Sequence, residues 1–166
     1  MPTLRCVEAG FTLVELIVTM VVLGIMAIAI VPRMSLLQGF DEVGFRDQVK
    51  ATLEYARKSA VAGRRYVCVT RSGNDLILTR NLADPDTTSA SCGTDPLALP
   101  GGTSRYCPSG TGSNQICAPS GVTLEGSASL VFSPLGVSAG GSYTIKVGST
   151  TSATITVVAE TGYVYH

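Results

Sequence analysis

Hydrophobic and polar positions follow three different patterns along this chain. From Phe11 to Val31 the residues are almost all apolar, and Glu15 is the only charged one. A run of this kind comes to the roughly 20 apolar residues a helix needs to cross a bilayer. A helix also satisfies every backbone polar group internally, as lipid demands. Pro32 follows at once; it removes a helical hydrogen bond and crowds the preceding turn, so it predicts a kink or the end of the apolar helix. Gly39 and Gly44 soften the chain nearby.

From Asp41 to Ala62 the pattern changes to a helical period. Phe45, Val49, Leu53, Ala56 and Ala60 recur at three- and four-residue steps and predict one apolar face. Asp41, Glu42 and Asp47 come early and Arg57, Lys58, Arg64 and Arg65 late, which suits the helix dipole. Gly63 is the expected cap.

Beyond this the pattern is that of strands. Tyr66–Thr70 and Leu76–Thr79 predict a hairpin about the turn Ser72–Asp75. Val122–Leu124, Ser129–Phe132, Tyr143–Val147, Ala153–Val158 and Tyr163–Tyr165 predict further strands. Between the two groups, Ala83 to Gly121 reads as a long loop, which a compact domain seldom tolerates without ties. The fold class is therefore α+β: a long N-terminal helix packed against a C-terminal antiparallel β-sheet head.

Cysteine usage supplies the ties. Of five cysteines, Cys68, Cys92, Cys107 and Cys117 lie in the head and Cys6 near the start. An even number in a small exported domain predicts two disulfides. Three pairings are open. Cys107 with Cys117 closes a small local loop and is preferred, which leaves Cys68 with Cys92. A metal site is disfavoured, because no Cys-x-x-Cys pair occurs and the only histidine is the terminal His166. The same histidine count leaves no Ser/His/Asp grouping, and no phosphate-binding loop is present. The chain reads as a non-enzyme with no cofactor. Formal net charge is zero, so global charge does not point to nucleic acid.

The N-terminus fits a secretory signal poorly, since the apolar run is long and the plausible cleavage point precedes it. A plain anchor leaves Glu15 unexplained, for a carboxylate within an apolar span usually marks a function. Gly10-Phe11-Thr12-Leu13-Val14-Glu15 resembles the type IV prepilin motif. The resemblance implies cleavage after Gly10 by a prepilin peptidase and N-methylation of Phe11. It also implies an assembly role for Glu15. Physically, a buried carboxylate seeks a positive partner, and the N-terminal amine of a neighbouring subunit would fix axial register.

A second stretch extends the likeness. Ala51–Val61, then a strand, then Phe132-Ser133-Pro134-Leu135-Gly136, then a terminal strand ending Glu160-Thr161-Gly162, is similar to the GspH/FimT family of minor pilins and minor pseudopilins. The implied organisation is a leader at 1–10, a transmembrane and assembly helix at 11–32, an amphipathic second half at 33–63, and a periplasmic β-rich head at 64–166. The implied setting is the bacterial inner membrane, single-pass, and then a filament, with other pilins or pseudopilins as partners.

Three roles follow: a minor pilin of a type IV pilus, a minor pseudopilin of a type II secretion system, or a DNA-binding minor pilin. DNA-binding members of the family carry a C-terminal Gly-Arg-x-Arg motif, where this chain has Gly162-Tyr163-Val164-Tyr165. Without those arginines the phosphate contacts that supply most non-specific affinity are missing. A separate patch of Arg57, Lys58, Arg64, Arg65 and Arg71 is the remaining candidate for DNA, against the blander reading of charge complementing a helix end.

Overall fold

The computed structural model describes residues 11–30, 33–86 and 91–166. The expected cleavage point Gly10, the helix breaker Pro32 and Cys6 lie outside the described residues. The chain divides into two compact units, Met1–Gln38 and Gly39–His166.

In the first unit, α1 spans Leu13–Ile30. Thr12 starts it. The Glu15 N–H donates to Thr12 Oγ1 at 3.3 Å and the Leu16 N–H donates to the Thr12 carbonyl at 3.2 Å. Thr12 is therefore the N-cap and Glu15 the third helical residue, in the Thr-x-x-Glu arrangement of a capping box. The 18 residues of α1 rise about 27 Å, against roughly 30 Å of bilayer hydrocarbon. Among the described residues, no helix is long and apolar enough to cross a membrane.

In the second unit, α2 (Arg33–Gly63) contributes its residues from Gly39 onward. Phe45, Val49, Leu53, Ala56 and Ala60 are all fully buried, one stripe on the face that the spacing predicts. The helix ends in a Schellman arrangement: the Arg64 N–H donates to the Val61 carbonyl at 3.3 Å and the Arg65 N–H to the Ala60 carbonyl at 3.1 Å. The left-handed residue is Arg64, at φ +48°, and not the glycine before it. Gly63 instead closes the helix itself.

The strands divide into two antiparallel sheets where one was expected. The first contains β1 (Val67–Ser72), β2 (Asp75–Arg80), β3 (Asp95–Pro96), β4 (Gln115–Ile116) and β6 (Ser129–Phe132). β1 is central, with β2 on one side and β6 on the other; β3 and β4 both pair with β2. The second sheet has the order β5 (Val122–Gly126), β7 (Gly141–Val147), β8 (Thr150–Val157), β9 (Val164–Tyr165). The chain changes sheets between β5 and β6. There Gly126 sits at φ +126°, and a Cβ would lie 2.1 Å from the Ser142 carbonyl oxygen, so only glycine permits the corner. The Ser127 N–H donates to that same carbonyl at 3.0 Å, and the Arg71 N–H donates to the Ala128 carbonyl at 2.8 Å. The corner is thus fastened to both sheets.

The core joins α2 to both sheets through Val67, Val69, Leu76 and Leu78 of the first and Leu124, Tyr143, Ile145 and Ile155 of the second. The expected long loop is tied down in several ways. β3 and β4 pair with β2, and Tyr55 Oη donates to the Ala98 carbonyl at 2.9 Å. Disulfides join Cys68 to Cys92 and Cys107 to Cys117. By loop closure alone such bonds over 24 and 10 residues contribute about 3 kcal/mol each.

Candidate assembly and docking sites

Glu15 occupies the first turn of α1, where a carboxylate complements the positive end of the helix dipole. Its backbone N–H is held by Thr12 and its side chain is exposed. The Thr12 cap could have been read from Thr12-Leu13-Val14-Glu15, a Thr-x-x-Glu before an apolar run; it uses the Glu15 backbone N–H and leaves the carboxylate exposed. Phe11, the residue expected to become the new N-terminus, is 76% exposed. From Leu13 to Met26 the large apolar side chains of α1 are all about half exposed or more. A helix apolar all round needs lipid or other helices to cover it.

The basic residues singled out from the sequence do not form one cluster. Arg57 turns inward, and its Nε donates to the Gly136 carbonyl at 3.4 Å. Lys58 pairs with Glu54 one turn back, at 3.8 Å. Arg64 is the helix-terminating residue, and Arg65 Nη1 donates to the Arg64 carbonyl at 3.1 Å. Arg71 lies four residues beyond Val67 on β1, about 13 Å along the strand. Its Nη1 donates to the Gly73 carbonyl at 2.8 Å, while its Nε is buried with no partner among the described residues. Arg71 thus belongs to the interior edge of the head and not to a surface shared with Arg64 and Arg65.

Arg71 acts on Tyr143, which is fully buried and whose hydroxyl also lacks a partner among the described residues. Burial pushes the Tyr143 phenol up to about 12, against a smaller downward pull from the Arg71 charge. At the C-terminus, Tyr163, just before β9, and Tyr165 on it stack with ring centroids 6.3 Å apart, both exposed. Lys50 Nζ lies 3.3 Å from His166 Nδ1, which brings the last residue beside α2.

The sequence reading missed a cavity of about 590 Å³ between α2 and the segment Leu99–Tyr106, lined on the helix by Gly44, Gln48, Ala51, Thr52 and Tyr55. Ser104 Oγ donates to Gln48 Oε1 across it at 3.4 Å. At its rim, Tyr106 donates a short hydrogen bond to Asp41, and Arg105 Nη2 reaches the same carboxylate at 3.1 Å. Burial and then the Asp41 hydrogen bond raise the Tyr106 phenol above its usual value; the hydrogen bond to Tyr106 does most to raise Arg105 further. Among the described residues, no group of His, Cys, Asp and Glu could hold a metal ion.

Residues 5–31 match the family described as the prokaryotic N-terminal methylation motif. No curated protein matches the chain. Two crystal structures of the Pseudomonas aeruginosa type IV minor pilin FimU are similar to it. One, in space group P21, has 18% identity over 72% of this chain and 82% of that chain, with a TM-score of 0.49. The other, in space group P65, has 15% identity over 72% of this chain and 86% of that chain, with a TM-score of 0.47.

Proposed function

We propose that this chain, whose N-terminus is type IV pilin-like, is a minor pilin of the GspH/FimT kind that is built into a type IV pilus after cleavage behind Gly10 and methylation of Phe11. The observation that carries the reading is the methylation motif at residues 5–31 leading into a Thr12-capped helix whose apolar surface is uncovered on all sides. Such a helix has two uses. Before assembly it is held in lipid at the bacterial inner membrane, with the head in the periplasm. In a filament it is covered by the helices of neighbouring subunits. Glu15 would then meet the amine of Phe11 on a neighbour, and that ion pair sets the axial register. The chain is a substrate of the peptidase and carries out no catalysis itself.

Intact mass of the membrane-extracted protein tests this. Loss of Met1–Gly10 and gain of one methyl group support the reading, and a full-length, unmethylated chain would refute it. Glu15→Ala should leave processing intact and reduce incorporation into filaments at least tenfold. Normal incorporation of that variant would remove the register argument.

A further inference from the structure

We propose that the cavity beside α2 is a binding site for a small uncharged amide, one that carries a short apolar group. Thr52 points to it. It lines the cavity and is only 3% exposed, yet its hydroxyl has no hydrogen-bond partner among the described residues. A threonine inside a helix commonly gives its hydroxyl to a carbonyl three or four residues back, as Thr19 does to Leu16 at 2.9 Å. Thr52 makes no such bond and keeps its hydroxyl for the cavity. A buried hydroxyl left without a partner destabilises a fold, so each one in a native protein calls for an occupant or a role.

Gln48 lies one turn before Thr52, a spacing that sets two side chains on one helix face about 6 Å apart. Ser104 Oγ donates to Gln48 Oε1 at 3.4 Å, and the amide nitrogen has no partner among the described residues. Gln48 Nε2 therefore offers donors and Thr52 Oγ1 an acceptor. A single secondary amide meets both: its carbonyl accepts from Gln48 and its N–H donates to Thr52. The rest of the lining suits an apolar group, with Leu99, Pro100, Ile116 and the Tyr55 ring around a volume of about 590 Å³.

Charge favours a neutral ligand. Among the described residues, Arg105 is the one charged member of the lining. Asp41 already pairs with it at 3.1 Å, and its guanidinium lies over the Tyr106 ring, 4.6 Å from the centroid. An ion would compete with that arrangement, whereas an amide leaves it in place. The wall is also formed in advance. The Leu99 N–H donates to the Ser113 carbonyl at 2.9 Å, the Gly102 N–H to the Leu99 carbonyl at 3.0 Å and the Cys107 N–H to the Ser104 carbonyl at 3.0 Å. Tyr55 Oη and the Cys107–Cys117 bond hold its two ends. A preorganised wall loses little freedom on binding. Gly44, exposed in the lining, leaves open space, since a Cβ there would meet nothing within 4 Å.

The site belongs to the head alone, so it stands or falls apart from processing at Gly10. The test is a titration of full-length chain in detergent, its alanine, leucine and isoleucine methyl groups labelled for nuclear magnetic resonance, with N-isopentylacetamide. Isopentyl acetate, which replaces the amide N–H by an ester oxygen, is the matched control. Saturable shifts at the methyls of Ala51, Leu99 and Ile116 are expected, in the low millimolar range or tighter, with the amide bound about tenfold more tightly than the ester. Thr52→Val should abolish that preference and leave the thermal midpoint of the head unchanged or higher, because the hydroxyl it deletes has no partner among the described residues. Gly44→Leu should block both probes by filling the open space beside it. Shifts that never saturate or that fall on the methyls of α1 would overturn the proposal, as would equal binding of amide and ester or a preference that survives Thr52→Val. A lower midpoint for Thr52→Val without probe binding would overturn it too, and would assign the hydroxyl to water.

Discussion

The two helical segments use apolar residues in opposite ways. α1 is apolar on every side and keeps large side chains such as Ile17 and Leu23 more than half exposed. The second unit's part of α2 gathers its apolar residues into one stripe and buries all five of them completely. The stripe is satisfied by its own head; the surface of α1 is satisfied only by something outside the unit. One segment therefore stabilises the subunit, and the other presents an apolar surface that its own residues leave uncovered.

The largest effect should come from breaking the stripe. Phe45→Ala removes a fully buried ring and leaves a cavity, and it should destabilise the head by about 3–5 kcal/mol in urea unfolding followed by circular dichroism. Ile17→Ala, at a position 52% exposed, should change the same measurement by no more than about 0.5 kcal/mol. If the two substitutions destabilised the head equally, the division of labour between the helices would be wrong.

A middle-sized effect should come from the unpaired Tyr143 phenol. Its pKa is raised in the folded state to about 12, whereas the unfolded chain releases that proton near 10. Below pH 10 the contribution is fully present. Above it the unfolded state binds fewer protons, so stability falls as pH rises from 10 to 12, by about 3 kcal/mol in all. Tyr143→Phe should flatten that part of the profile. At neutral pH it should be neutral to slightly stabilising, because the hydroxyl it removes has no partner among the described residues. An unchanged slope would mean that the phenol is solvated in the folded head.

Much of this architecture was legible in residue spacing, because burial imposes a period. The stripe Phe45–Ala60 could be read directly, and Ser129–Phe132 is a strand with the bounds its pattern suggests. The split into two sheets was not legible. It depends on the corner at Gly126, where a backbone carbonyl from β7 comes too close for any side chain, and that approach has no local signature. β3 and β4 were also missed, since two-residue strands exist only through their pairing with β2. The cavity was invisible for the same reason: its wall, Leu99–Tyr106, is irregular and is placed by Tyr55, Asp41 and the Cys107–Cys117 bond from distant parts of the chain.

The smallest expected effect concerns the end of α2, where sequence and structure differ by one residue. Gly63 is the residue that tolerates a left-handed backbone, yet Arg64 adopts it, at φ +48°. The offset follows from packing: Ala60 must stay in the buried stripe, and the hydrogen bond from the Arg65 N–H to the Ala60 carbonyl then places the left-handed position at 64. A non-glycine residue there costs roughly 1–2 kcal/mol. Arg64→Gly should recover about 1 kcal/mol of that strain, less what glycine loses through the greater freedom of the unfolded chain. Arg64→Ala serves as the control, since it removes the charge and keeps the Cβ. A gain for glycine alone identifies backbone strain; equal gains for both would trace the effect to relief of repulsion between Arg64 and Arg65 at the helix end.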